Sequence, residues 1–356
     1  MTTTGPRSSR HRHARILFFA TNRLYLEHFL PVLRTLVDDP TVLVRTTGPR
    51  KLSLGAGSNA VGRWAPLPVA ILQPWDVVVY SSSRGTSLFP FGSKRALLPH
   101  GIGGGKIVDG ASWRYGRVRT MRRGQRIFDL ILEASPAEAQ RVEREFPWLE
   151  GSVVGVGTPM LDPLHRAAKH RSSTHVLIQS TYGPASLVES VGPAALVDQA
   201  RLVAGTTGRP VILSLHPNHW TGYAGTKVLG PMVASLVSDP VRLLPPHTPL
   251  ENYLPNVIAA ISDHTNLSAV VALLEIPQLV MRPAPDIVDK GSPVAEVHRH
   301  CVELALHQPW GEQMEKLLHR PNFRGSTQLR DRLAVNIGSA TEATASAVKN
   351  LAVKKR

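Results

Sequence analysis

Val257-Ile-Ala-Ala-Ile-Ser262 runs into Asp263-His264-Thr265-Asn266, then into Leu267-Ser-Ala-Val-Val-Ala-Leu-Leu274 and Ile276-Pro-Gln-Leu-Val-Met281. The first run is a short apolar strand that ends on a polar group. The second begins a helix, and the third is the next strand. A short, nearly continuous apolar run suits a strand covered on both faces, as in a parallel sheet. Strand, polar loop, helix and strand in that order make a βαβ unit, and ligands of such sheets bind at the C-terminal strand ends.

The same alternation extends outward. Upstream lie strands at His175–Gln179 and Pro210–Leu215, a weaker one at Val241–Leu244, and a helix over Ala194–Ala204. Before them, the polar and basic stretch 165–174 reads as a linker. The N-terminal half repeats the pattern, with strands at Arg15–Ala20, Val42–Val44, Asp76–Tyr80, Arg95–Pro99, Phe128–Leu132 and Ser152–Val156. Leu26, Phe29, Leu30, Leu33 and Val37 have helical spacing, and a second helix is expected over Pro136–Phe146. The expected fold is α/β, with two doubly wound Rossmann-like domains and a cleft between them. The expected division is a disordered basic lead-in over 1–14, domains over 15–164 and 175–339, and a helix with a basic tail over 340–356.

Composition narrows the classes. The chain has 356 residues, 42% hydrophobic and 19% charged, which suits two folded domains. One cysteine, Cys301, excludes a disulfide framework and a Cys-rich zinc site. No stretch approaches the roughly 18 apolar residues of a spanning helix. The apolar run Ile16–Ala20 is too short for a secretory signal. These features place the protein in a reducing cytoplasm. The net charge of +15 comes mainly from the two termini and from Lys106, Arg114, Arg117, Arg119, Arg122, Arg123 and Arg126. Such an excess points to an anionic partner.

Three polar clusters follow strands. Pro99-His100-Gly101-Ile102-Gly103-Gly104-Gly105-Lys106 sets a titratable base beside exposed backbone N–H groups and a positive charge. Its plain alternative is a flexible loop, and the spacing is not that of a Walker loop. Ser214-Leu215-His216-Pro217-Asn218 fixes His216 at a strand rim, or simply marks a surface turn. Ser262 to Asn266 could bind an anion at a helix N-terminus, or could simply cap the helix. His216 with His219, and His298 with His300, lack the spacing and carboxylate partners of a metal site. No nucleophile elbow is present.

Taken in order, these clusters resemble the CDP-glycerol glycerophosphotransferase family, the teichoic-acid polymerases and primases. The resemblance covers roughly residues 90–282. His100-Gly101 with Lys106 fits the family's His-Gly motif. Gly157-Thr-Pro159-Met160-Leu-Asp162 stands where the family has Gly-x-Pro-Arg-x-Asp. Gln179-Ser180-Thr181-Tyr182 looks like the counterpart of a strand ending in Ala-Pro-Thr-Trp. Leu213-Ser-Leu-His216-Pro217 matches a His-Pro strand end. Ile261-Ser-Asp263-His-Thr265-Asn266 through Pro277 resembles a Thr-Asp-Tyr-Ser-Ser motif and its helix.

The resemblance implies a GT-B fold and transfer of a polyol phosphate, glycerol phosphate first, from a CDP-activated donor to an acceptor hydroxyl in cell-surface polymer synthesis. It implies His100 as general base, with His216 at the reacting centre and a nucleotide held by the second domain. Donor contacts are expected from Gly101, Gly103, Gly104, Lys106, Ser180, Thr181, His216, Ser262, Thr265 and Asn266. Asp263, in the same cluster, is assigned to orienting the loop or a nearby histidine, since its charge repels phosphate. No cofactor and no protein-bound metal are implied. Arg114, Arg117, Arg119, Arg122 and Arg123 form the patch expected to face an anionic membrane that carries a lipid-linked acceptor, at the inner face of the cell membrane.

The sequence departs from the family at three places. Met160 replaces an arginine, Val270 an acidic residue and Asn266 a serine. Loss of a charged donor contact costs about 1.5–3 kcal/mol when nothing replaces it. Another CDP-polyol or an NDP-sugar therefore remains open as donor. Two other readings stay in view: an NDP-sugar glycosyltransferase or UDP-N-acetylglucosamine-type epimerase, and a nucleic-acid binder that stacks bases on Trp113 and Tyr115. The charge sits in a local patch beside the expected base, which disfavours nucleic acid.

Overall fold

A computed structural model describes residues 13–49, 63–89, 93–99, 101–102, 107–108, 111–112, 115–168, 172–183, 185–282, 287–319 and 327–354. The first sheet has seven strands: β1 (Ala14–Phe19), β2 (Val42–Thr47), β3 (Arg63–Trp64), β4 (Val77–Tyr80), β5 (Lys94–Leu97), β6 (Leu130–Glu133) and β7 (Val153–Gly155). Their spatial order is β7-β6-β5-β4-β1-β2-β3, and every pairing is parallel. The second sheet has six: β8 (His175–Ser180), β9 (Val211–Leu215), β10 (Val241–Leu243), β11 (Val257–Ser262), β12 (Gln278–Val280) and β13 (Val302–Glu303). Their order is β10-β9-β8-β11-β12-β13, again all parallel. Both sheets thus run outward in two directions from a central pair, β1/β4 and β8/β11. That is the doubly wound order, and each central pair is a topological switch point.

Burial explains the apolar runs. All four residues of β4 are fully buried, as parallel strands covered on both faces must be. Leu26, Phe29, Val32, Leu33 and Leu36 line the inner face of the helix Arg23–Val37, whose N-terminus is capped by the Asn22 side chain accepting from Tyr25 N at 2.9 Å. In the second domain, Leu177, Ala260 and Val280 face one layer of helices, while Val176, Ile178, Leu213 and Ile261 face the other.

The terminal helix Ala340–Val353 returns to the first domain. Ala345 and Val348 pack in the same cluster as Phe18, Phe29 and Val79. Lys349 Nζ pairs with Asp39 at 2.5 Å, and Lys94 Nζ donates to Leu351 O at 2.8 Å. The stretch read as a linker begins inside a helix, Leu161–Ala168, because Leu161 and Leu164 are drawn into the second domain's apolar cluster. Additions to the expected pattern include two short antiparallel pairs, 107–108 with 111–112 and 121–122 with 125–126, and the helices Pro293–His300 and Trp310–Leu318.

Candidate active site

The switch point of the second sheet is built around Asp263. It follows β11, is fully buried, and accepts hydrogen bonds from Thr181 N at 2.9 Å, Leu187 N at 2.8 Å and Ser180 Oγ at 3.2 Å. Its carboxylate is therefore engaged in folding the 181–187 loop over the end of β8. Ser262 is also fully buried. It donates to Gln278 Oε1 at 2.9 Å, and that amide donates to Ser268 O at 2.9 Å. The donor contacts expected of Ser262 thus fall on a side chain enclosed by protein.

Thr265 and Asn266 stand at the start of the helix Asn266–Leu273. Thr265 is its N-cap, with Oγ1 accepting from Leu267 N at 3.3 Å. Both residues are half-buried at the cleft edge of this domain. The first turn of the helix leaves main-chain N–H groups that an anion can accept from. His298 donates from its ring to the Asp263 carbonyl, and burial pushes its imidazole down to about 4.

His216 ends β9, beside β8. Its main-chain N donates to Ser180 O at 3.0 Å, and its Nδ1 accepts from Asn218 N at 3.1 Å. The Tyr182 ring lies 4.5 Å from the imidazole, tilted by 47°. Ser180 also accepts from Val188 N, so Ser180, Thr181 and His216 meet at one strand end. His219, set aside above as half of a metal pair, has a structural place instead. It is fully buried between Thr181 O at 2.9 Å and Lys227 O at 3.0 Å, and it fixes the loop after β9 against the end of β8.

The first domain reaches this point through the chain after β5. Gly101 has φ +86°, and a Cβ there would lie 3.0 Å from Asn266 Nδ2. Only glycine takes this conformation cheaply at so close an approach. Ile102 is fully buried in the second domain's cluster with Ala269 and Val270. Gly101 and the Thr265–Asn266 helix start are thus adjacent across the domain boundary. His100, Gly103, Gly104, Lys106 and Arg114 lie outside the described residues.

A second crossing joins the walls of the cleft. Arg84, in the loop after β4, donates from Nη1 to Tyr223 OH at 2.6 Å. This bond raises its guanidinium above the ordinary value, and Tyr25 and Tyr182 are within electrostatic reach. Arg119 is half-buried, and its guanidinium is lowered by burial and by the Arg84 charge. The rest of the basic patch behaves differently. Arg117 lies over the Trp148 ring at 4.9 Å, and Arg122 and Arg123 are exposed beside Val118, which is 96% exposed.

The junction motif has a structural role. Asp162, almost fully buried, accepts from Gly338 N at 2.8 Å, Ala340 N at 3.2 Å and Thr341 N at 2.7 Å, and so caps the returning helix. A Cβ on Gly157 would lie 2.4 Å from Val335 O, so the same segment also demands a bare backbone there. Met160 is half-buried against the apolar cluster that contains Val270. Neither position carries the charge seen in the family resembled. Among the described residues, no three His, Cys, Asp or Glu side chains gather to hold a metal ion.

No protein-family model matches the chain. No curated protein matches it by sequence. Solved structures do match it in shape. A structure of the wall teichoic acid polymerase TagF with CDPG superposes with a TM-score of 0.62 at 11% identity, over 97% of this chain and 90% of that one. The Staphylococcus aureus MnaA–UDP complex gives 0.61 at 13% identity, over 95% and 96%. A UDP-GlcNAc 2-epimerase from Neisseria meningitidis bound to UDP-GlcNAc gives 0.59 at 13%, over 94% and 99%. The chain has the GT-B fold. At these identities the likeness speaks for architecture, and the chemistry must be argued from the cleft.

Proposed function

We propose that this protein is a GT-B transferase that takes a nucleotide-diphosphate donor in its second domain and passes a polyol phosphate to an acceptor hydroxyl. The observation that carries the reading is the contact of Gly101 with Asn266, which brings the strand end after β5 to the start of an anion-attracting helix. The donor diphosphate is assigned to the N–H groups and side chains at Thr265 and Asn266, with Thr181 and His216 at the neighbouring strand ends. Gly101, Gly103, Gly104 and Lys106 complete the phosphate side from the first domain.

In this scheme the acceptor oxygen bonds to the phosphorus of the transferred group. The P–O bond to the nucleotide breaks, nucleoside monophosphate leaves, and His100 takes the acceptor proton. Positioning and fixed N–H dipoles supply most of the rate, as in phosphoryl transfer generally. CDP-glycerol is the first donor to try, on the resemblance of the motifs and of the fold to TagF. The exposed Arg122, Arg123 and Val118 support a peripheral contact with an anionic membrane that carries the acceptor. No helix among the described residues is long and apolar enough to cross a membrane.

A second reading, action on a UDP-sugar, is favoured by the equal likeness to UDP- and UDP-GlcNAc-bound proteins. One experiment separates the two. Purified protein is incubated with CDP-glycerol and a glycerol phosphate acceptor that carries free hydroxyls, or with UDP-GlcNAc, and nucleotide release and sugar epimers are followed. Release of CMP that is lost in His100→Ala supports the transferase. Epimerisation of UDP-GlcNAc with no CMP release would replace it.

A further inference from the structure

Gln179 is the last residue but one of β8, just below the strand end where Ser180, Thr181 and His216 meet. Side chains alternate along a strand. Val176 and Ile178 face one layer of helices and Leu177 the other, so Gln179 shares the face of Leu177. Across the sheet it pairs with Ser262, the last residue of β11. The helix Asn266–Leu273 covers this same face, with Ala269, Val270 and Leu273 in the cluster of Leu177. Ile102, from the first domain, is fully buried in that cluster as well. Gln179 therefore lies at the switch point, one strand from the segment that carries Thr265 and Asn266, on the face that receives Ile102.

Its exposure is 2%, and neither Nε2 nor Oε1 has a hydrogen-bond partner. Among the described residues, no other side chain leaves two polar atoms buried in this way. Buried amides are as a rule satisfied, because a stranded donor or acceptor forfeits its hydration. Ser262 does not serve this one, since its hydroxyl is given to Gln278 Oε1 at 2.9 Å. The fold does not need an amide here: an apolar side chain would fill the space, and the motif resembled has alanine at this position. A free N–H donor beside a free carbonyl acceptor suits a neutral group that offers both, as neighbouring hydroxyls do, whereas a phosphate has no use for the carbonyl. We propose that Gln179 is a specificity residue whose amide holds hydroxyls of the group carried on the donor diphosphate, and that it is reached when the first domain draws Ile102 out of the shared cluster. This rests on the reading that the diphosphate lies at Thr265 and Asn266. The transferred group then folds from the helix start toward β8, where Nε2 donates to one hydroxyl oxygen and Oε1 accepts from the next.

The test compares wild type with Gln179→Met, which keeps the length of the side chain and removes both polar atoms. The full chain is titrated calorimetrically with CDP, CDP-glycerol, UDP and UDP-GlcNAc, and unfolded in urea without ligand. The urea midpoint of the variant should equal or exceed that of wild type, because no bond within the fold is lost. The glycerol- or sugar-bearing donor that binds wild type should weaken about tenfold, the loss expected for two neutral hydrogen bonds together, while its bare nucleoside diphosphate stays within twofold. Gln179→Leu repeats the comparison with a different shape. A midpoint lowered in both variants would show that the amide is bonded within the fold, and would overturn the proposal. An equal loss for the donor and for its bare diphosphate would place the amide on the nucleotide and refute its assignment to the transferred group. If nucleotides bind and neither substitution alters any affinity, the role of Gln179 falls alone. If none of the four binds wild type, the donor reading falls and the role of Gln179 with it.

Discussion

Asp263 is the position where a single change should separate the folding of the site from its chemistry. Its carboxylate is enclosed and receives Thr181 N–H, Leu187 N–H and Ser180 O–H. In Asp263→Asn the shape stays and the charge goes. Hydrogen bonds to a charged acceptor contribute about 1.5–3 kcal/mol each, and neutral ones about 0.5–1.5. Three bonds weakened by about 1 kcal/mol each give a loss of about 3 kcal/mol. Relief of the buried charge works in the opposite direction and lowers this figure. Asp263→Ala instead strands two buried main-chain N–H groups, each at about 1–3 kcal/mol, and adds a cavity. The expected order is therefore wild type, then Asn, then Ala, with the alanine variant about 4 kcal/mol down. Urea unfolding gives the free energies. Amide exchange at Thr181 and Leu187, read by NMR, reports the loop directly and should speed up in both variants. An alanine variant within about 1 kcal/mol of wild type, with those two amides still protected, would refute the assignment of Asp263 to the loop.

Three further outcomes are expected. Thr265→Ala with Asn266→Ala should weaken the preferred nucleotide by roughly one to a few kcal/mol, while the melting temperature moves only by the roughly 1 kcal/mol of a lost cap; an unchanged Kd would make this helix start a cap and nothing more. His298, held near 4 by burial against an ordinary 6.5, takes its proton later in the folded chain than in the unfolded one, so its contribution is complete above pH 6.5 and is lost as pH falls toward 4, about 3 kcal/mol in all. The difference in urea stability between wild type and His298→Asn should shrink by most of that amount from pH 7.5 to 4.5, and a flat difference would mean that the imidazole charges freely where it sits. Binding to anionic vesicles should fall with salt and with Arg122→Gln, Arg123→Gln and Val118→Ser combined; sedimentation unaltered by these changes would remove the hairpin from any membrane contact.

Most of the fold was legible because parallel strands leave a strong mark. Val77–Tyr80 and Val257–Ser262 are apolar on both faces, so their runs need no periodicity to be found. The misses share a cause. Arg63–Trp64 and Val302–Glu303 are two-residue edge strands, too short to show any pattern, and they pair only because a longer neighbour offers its edge. The helix Pro293–His300 ends in His298, Arg299 and His300, a polar run that masks its buried Val294 and Val297. The docking of Ala340–Val353 on the first domain depends on Asp162, some 180 residues upstream, receiving that helix's N–H groups. No local pattern carries that information.

The site divides along the same physical line. Placement at a strand end was readable: Thr265 and Asp263 follow β11, His216 follows β9, and Gly101 follows β5. What the residue types did not reveal was which polar groups face inward. Ser262 reads like a phosphate ligand, yet it is the last residue of β11, and its side chain falls on the face where Gln278 waits. Arg84 and Tyr223 are the opposite case. Each is exposed, with no spacing to recommend it, and 139 positions separate them. They meet because two doubly wound sheets, each with a crevice at its central pair, face one another across the cleft. The sequence could indicate that such crevices exist, since their strands could be found. Which side chains line the crevice is settled by the turn after β4 and by the loop that His219 holds in place, both products of tertiary contact. The residues that join the two walls are therefore the ones that sequence patterns carry least, and the ones where mutation should alter binding with little cost to the fold.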